Sequence, residues 1–129
     1  MACVSEITKS LDKDYSIPNI AKFQCYFVSK DICHSFGFDP IYAERANGDE
    51  KEFCSNTNKA ANHWAVTDGE FVYDFTARQF DNSAPYPFIG SLNEWREFLE
   101  SVWDSGNLFI FEPDSLCNVC LFAVEECDC

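Results

Sequence analysis

The chain has 129 residues and a mass of 14.8 kDa, the size of one compact domain and too small for a multidomain enzyme. Hydrophobic side chains make up 47% and aromatics 16%, which excludes a disordered chain. Nine Lys and Arg against 22 Asp and Glu leave a net charge of −13, which argues against nucleic acid or membrane as direct partner and for a protein or peptide.

The first residues, Met1-Ala2-Cys3-Val4-Ser5-Glu6, lack the unbroken apolar stretch of a cleavable signal peptide. The longest apolar run, Leu121-Phe122-Ala123-Val124, falls far short of the roughly 20 residues that span a bilayer. The expected location is the cytoplasm, or a target cell into which dedicated machinery delivers the protein as an effector. We read residues 1–129 as one domain whose last stretch, 116–129, is rich in cysteine.

Val4, Ile7 and Leu11 predict a first helix over 3–12, followed by a connector at Asp14–Pro18. From Asn19 to Phe36 the apolar positions Ile20, Phe23, Phe27, Val28, Ile32 and Phe36 recur at spacings of three and four, predicting a central helix. Its stripe of Phe23, Phe27, Val28, Ile32 and Phe36 is expected to be buried against a sheet, with Gly37 as C-terminal cap. Ile41–Ala43 opens a strand, and the polar run 47–59 reads as a loop or flap.

His63–Thr67 and Glu70–Phe75 read as two strands about an Asp68-Gly69 turn, whose positions both favour positive φ in a two-residue hairpin. Residues 81–90, with Pro85, Pro87 and Gly90, read as an irregular crossing. Ser91 and Glu94 form a capping box for a helix carrying Leu92, Trp95, Phe98, Leu99 and Val102. Strands follow at Leu108–Phe111 and at Val119–Val124. Helices, a hairpin, a helix and further strands in that order predict an α+β fold.

Eight cysteines stand at 3, 25, 33, 54, 117, 120, 127 and 129. Cys117, Cys120, Cys127 and Cys129 supply four thiols, the number a tetrahedral zinc site takes. Only six residues separate the CxxC from the CxC, so the expectation is no obligatory metal and no cofactor. Residues 92–129 hold nine acids against one base, so the net negative charge is concentrated in this C-terminal stretch.

Of the two histidines, His34 falls near the end of the central helix, where it reads as a C-terminal cation or a surface residue. His63 opens the first hairpin strand. In a two-residue hairpin, Val66 pairs with Phe71, Ala65 with Val72, Trp64 with Tyr73 and His63 with Asp74. Paired residues share a face with Cβ atoms about 4.5–5.5 Å apart, so the carboxylate can hold the imidazole in one tautomer. Cys25 lies near the start of the central helix, where free N–H groups and the helix dipole favour a thiolate. A lone strand histidine and a buried cysteine are ordinarily structural. Their joint presence with Asp74 raises the alternative of nucleophilic catalysis.

Cys25-Tyr26-Phe27-Val28-Ser29, His63-Trp64-Ala65-Val66 and Asp74-Phe75-Thr76-Ala77-Arg78-Gln79-Phe80 together resemble the papain-like fold of bacterial toxin and deamidase domains, over roughly residues 19–80. The resemblance implies a papain-like mini-domain in which a Cys-bearing helix packs on a small antiparallel sheet. It implies Cys25 as nucleophile, His63 as general base and acid, and Asp74 as orienter. Asn19 or Gln24 would donate to an oxyanion, and Trp64 and Gln79 are candidates for the substrate site. The chain departs from the larger peptidases in lacking Gly-Ser or Trp around the cysteine and in being too short for their two-lobed cleft.

The expected activity is thiol-dependent hydrolysis of an amide: a peptidase, an isopeptidase or a Gln/Asn deamidase acting on a protein or peptide. The competing expectation is a small acidic binding or inhibitor protein, a catalytically dead papain-like fold or a nucleic-acid mimic, occupying a basic site on its partner.

Overall fold

The computed structural model describes residues 4–46, 62–103, 107–117 and 119–122. The fold is α+β. Helix α1 spans Val4–Ser10, α2 Pro18–Ala21, α3 Cys25–Phe36 and α4 Leu92–Val102. The strands are β1 Asp39–Ala46, β2 Asn62–Thr67, β3 Val72–Asp74, β4 Phe88–Gly90 and β5 Asn107–Phe111. They form one sheet in the order β4-β3-β2-β1-β5, with every neighbouring pair antiparallel.

The central strand β2 is buried at all six positions, because helices cover both faces of the sheet. Trp64 and Val66 point to one side, where Val66 joins Val28 and Ile32 of α3 in a cluster that also holds Ile7, Tyr15 and Phe75. Ala65 points to the other side and packs with Ile41, Ala43, Val72, Trp95 and Leu99 under α4. This alternation is the two-residue period of a strand acting as a sorting rule.

Helix α4 begins as expected. The Ser91 hydroxyl accepts from the Glu94 N–H at 3.1 Å, and the Glu94 carboxylate accepts from the Ser91 N–H at 2.8 Å. Gly37 ends α3 in the left-handed region at φ 74°, where a glycine carries no Cβ penalty.

The expected helix over 19–36 is instead two helices. Lys22 is extended and Phe23 lies at φ 66°, so the chain turns sharply before α3 and makes Cys25 its first residue. The turn carries Phe23 off the expected stripe, leaving it 39% exposed, while Phe27 is 63% exposed. The stripe that meets the sheet is Cys25, Val28, Ser29, Ile32 and Cys33, with Phe36 half-buried.

The hairpin register also differs from expectation. Val66 pairs with Tyr73 and Thr67 with Val72, so the turn holds four residues, 68–71, and only Gly69 has positive φ. The cause is Asp68: one carboxylate oxygen accepts the N–H groups of Glu70 (2.9 Å) and Phe71 (2.8 Å), and the other accepts the Tyr73 hydroxyl (2.8 Å). Side chain–backbone bonds of this kind replace the two-residue turn with a wider one. The slip is two residues, an even number, so each side chain keeps its face.

Partial burial pushes the Asp68 carboxyl up, but the Phe71 and Glu70 N–H groups and the Tyr73 hydroxyl outweigh it and hold the group below the usual carboxylate range. A depressed carboxyl stabilises the fold above its unfolded pKa of about 4, and that stability is lost as pH falls through the folded value. Asp68→Ala is therefore expected to lower unfolding free energy by about 1–2 kcal/mol at neutral pH and by progressively less in acid. Urea melts at several pH values measure this; an equal loss at every pH would contradict it.

Two further expectations give way. Residues 88–90 form an edge strand on β3, with Val72 opposite Gly90, rather than part of an irregular crossing. Residues 119–122 form a turn rather than a strand, because Leu121 N–H bonds Cys117 O and Cys117 N–H bonds Phe122 O, both at 2.8 Å. The expected loop at 47–59 and the strand's end at 123–124 lie outside the described residues. Among the described residues, no helix is long and apolar enough to cross a membrane.

Candidate active site

His63 and Asp74 are brought together. His63 Nε2 lies 2.7 Å from Asp74 Oδ2, and both side chains are wholly buried. The contact is diagonal across β2 and β3, the consequence of the two-residue slip. Trp95 of α4 donates its indole N–H to the same Oδ2 at 3.1 Å. Asp74 Oδ1 accepts the Thr76 N–H at 3.1 Å and the Thr76 hydroxyl at 3.5 Å. The imidazole is further enclosed by Phe80, edge-on at 4.8 Å, and by the Trp95 ring at 6.2 Å.

These bonds set the tautomer. An ionised carboxylate only accepts, so the proton of the His63–Asp74 bond belongs to Nε2. In the neutral ring Nδ1 then carries a lone pair, and among the described residues it has no hydrogen-bond partner although it is buried. A buried acceptor without a partner costs about 1–3 kcal/mol and calls for an explanation, of which a base waiting for a proton is one.

Cys25 is 1% exposed and stands at the first position of α3. The first intrahelical bond runs from Val28 N–H to Gln24 O at 2.9 Å, so the N–H groups of Cys25, Tyr26 and Phe27 precede it. The side chain packs in one buried cluster with Trp64 and Leu121, bordered by Tyr26, Tyr42 and Phe122. Cys25 therefore sits against the strand residue next to His63, on the α3 side of β2, while the imidazole turns to the α4 side.

Comparison with protein-family models, with curated proteins and with solved structures returns no match. The site must be read from its own geometry.

The other candidates separate clearly. Gln24 is half-buried directly before Cys25, with no capping bond from its side chain. Asn19 is exposed within α2. Trp64 lies in the Cys25 cluster and donates to Leu121 O at 3.5 Å. Gln79 bonds the Thr76 hydroxyl at 3.2 Å, which makes it a neighbour of the Asp74 shell. His34 is exposed, with Nε2 2.9 Å from Val119 O. Cys117 and Cys120 are half-buried, while Cys127 and Cys129 lie outside the described residues. Among the described residues, no three His, Cys, Asp or Glu side chains are gathered to hold a metal ion.

Three residues of the site escaped the sequence reading. Thr76 sits inside the Asp74–Phe80 motif, and its place two residues after an aspartate is a usual signal of an Asx-type bond. Trp95 reads from sequence only as a core residue of α4, and Leu121 only as part of a strand. Nothing local marks either as a partner of a distant side chain.

Proposed function

We propose that the protein is a thiol-dependent amide hydrolase of papain-like type acting on a protein or peptide. The observation that supports this reading is the buried His63–Asp74 pair, whose second ring nitrogen has no hydrogen-bond partner among the described residues. Cys25 supplies the nucleophile from the α3 N-terminus, where the helix dipole favours a thiolate once the apolar cover over the thiol opens.

In the proposed reaction the Cys25 thiol gives its proton to His63 Nδ1, and Sγ attacks the amide carbon. The C–S bond forms, the C–N bond breaks, and the imidazolium returns its proton to the leaving amine or ammonia. Water then hydrolyses the thioester to a carboxylic acid and restores the thiol. The Cys25 N–H and the Gln24 amide are the nearest donors for the oxyanion. Asp74 acts as a positioning residue, since it meets the imidazole and not the substrate. Thiol and imidazole stand on opposite faces of β2 in this structure, so the reaction requires the start of that strand to leave the sheet and turn over, bringing Nδ1 to the face that carries Cys25.

The test is a peptide library incubated with the protein and read by mass spectrometry for chain cleavage and for amide-to-acid conversion. Activity that disappears in both Cys25→Ala and His63→Ala is the expected result. A full set of turnovers in Cys25→Ala would overturn the reading.

Iodoacetamide gives a substrate-free check with a built-in control. Burial, with a smaller contribution from Asp39, pushes the Cys33 thiol up to about 12, so Cys33 stays protonated and unreactive near neutral pH. Cys25 is expected to alkylate faster than Cys33, and His63→Ala is expected to slow it. Equal rates at Cys25 and Cys33 in a variant that uncovers Cys25 would count against a nucleophile at 25.

One observation favours the second reading, an acidic binding protein. Glu94, Glu97 and Glu100 are all exposed on α4. If the binding reading holds, Cys25→Ala is silent in any biological assay, and reversing the charges of Glu97 and Glu100, which leaves the Ser91–Glu94 cap intact, abolishes the effect.

A further inference from the structure

We propose that residues 119–122 are an internal strap that occupies the substrate's place over Cys25 and holds the enzyme closed. This inference rests on the hydrolase reading above. It explains why a candidate nucleophile is almost completely covered.

The cover is built from the far end of the chain. Leu121 is fully buried and shares one cluster with Cys25 and Trp64. The strap is fastened mainly through its backbone carbonyls, by side chains of the elements that frame the thiol. The Tyr26 hydroxyl donates to Cys120 O at 2.8 Å, the Trp64 indole donates to Leu121 O at 3.5 Å, and His34 Nε2 meets Val119 O at 2.9 Å. The Phe122 ring stacks on Tyr26 at 5.4 Å and 9°. Three carbonyls in succession are thus held by side chains of α3 and β2.

Side chains that grip consecutive carbonyls of a chain segment read any peptide laid in the same path, because every residue offers a carbonyl. Specificity then falls to the pocket that takes the side chain. Here Leu121 fills it, against Cys25, Trp64 and the flanking Tyr26 and Tyr42. The substrate implied is a peptide segment with an aliphatic residue at the position Leu121 takes, and such a segment must displace the strap to reach the thiol.

The strap also has a reason to leave. Leu121 adopts φ 69°, a left-handed conformation that strains a leucine. The contacts over Cys25 offset that strain, and release relieves it. A two-state element of this kind changes population when a ligand binds the open state better.

The test measures iodoacetamide labelling of Cys25 by peptide mass mapping, with Cys33 as the fold control. Two variants loosen the strap by different routes: the double change Tyr26→Phe with His34→Ala, which removes two fastenings without opening the core, and Leu121→Gly, which removes the plug and suits the positive φ. Labelling of Cys25 is expected to rise at least about tenfold in both, with Cys33 still unlabelled, since protection set by local opening follows its equilibrium population. In Leu121→Gly, where Tyr26, His34 and Trp64 are all kept, a synthetic peptide of sequence Val-Ser-Leu-Phe, with serine in place of Cys120, is expected to slow labelling again when added in excess. An unchanged Cys25 rate in both variants overturns the strap. A raised rate that is indifferent to His63→Ala keeps the strap and overturns the hydrolase reading. Labelling of Cys33 marks unfolding, and the double variant then decides alone.

Discussion

Asp74→Ala is expected to destabilise the fold by about 3–5 kcal/mol, because three buried donors each lose their acceptor at about 1–3 kcal/mol apiece. The reason is the number of donors that lose their acceptor together. His63 Nε2 and the Trp95 indole N–H both point at Oδ2, and the Thr76 N–H points at Oδ1. All of these groups are buried, so water does not replace the carboxylate without opening the core between β2, β3 and α4. A melting temperature lower by on the order of 10–20 °C is the corresponding signature for a chain of this size. Differential scanning calorimetry measures it. A drop of only a degree or two would mean that the pair is not enclosed as described.

Asp74→Asn separates stability from chemistry. With its oxygen at the Oδ1 place the asparagine still accepts the Thr76 N–H, and its volume matches, so the melting temperature is expected to fall by less than the alanine loss although the Trp95 indole N–H loses its acceptor. Its amide N–H₂ is a donor facing His63 Nε2, which must then accept. The imidazole proton moves to Nδ1, and the lone pair that would take the thiol proton is gone. Hydrolysis is expected to fall on the order of 10³–10⁴-fold, the scale of a triad locked in the wrong tautomer. The same variant in the strap-loosened Tyr26→Phe, His34→Ala background is expected to slow Cys25 labelling as His63→Ala does. An asparagine variant that turns over at the native rate would remove Asp74 from the mechanism, whatever its effect on stability.

Much of the α+β architecture was legible because its signals are local. The Ser91–Glu94 capping box started α4 where expected, and Gly37 ended α3. The hairpin strands were legible as well, and so was their facing. His63 and Asp74 share a side of the sheet in either register, since a slip of two residues conserves parity. The turn itself was misread. Asp68-Gly69 looks like a two-residue turn, but the Asp68 carboxylate has three donors within reach two, three and five residues on, and it closes a wider loop around them.

The break before Cys25 was not legible. Phe23 and Phe27 continue the helical spacing of Val28 and Ile32, so periodicity alone extends the helix back to Asn19. Periodicity records which positions are compatible with one face; it does not record a residue driven into the left-handed region, as Phe23 is. The same limit applies to Leu121, whose apolar neighbours suggested a strand and whose positive φ forms a turn.

From sequence alone came the fold class, the main helices and strands, and the meeting of His63 with Asp74, each decided by residues a few positions apart. Only the tertiary structure decided that Trp95, 21 residues from Asp74, shares its carboxylate oxygen, and that Leu121, 57 residues from Trp64, covers Cys25. It also decided that the thiol and the imidazole take opposite sides of β2. The physical reason is range: caps, turns and strand alternation are set by neighbours along the chain. Burial is set by whichever distant segments arrive at the same place, and no local pattern encodes that arrival.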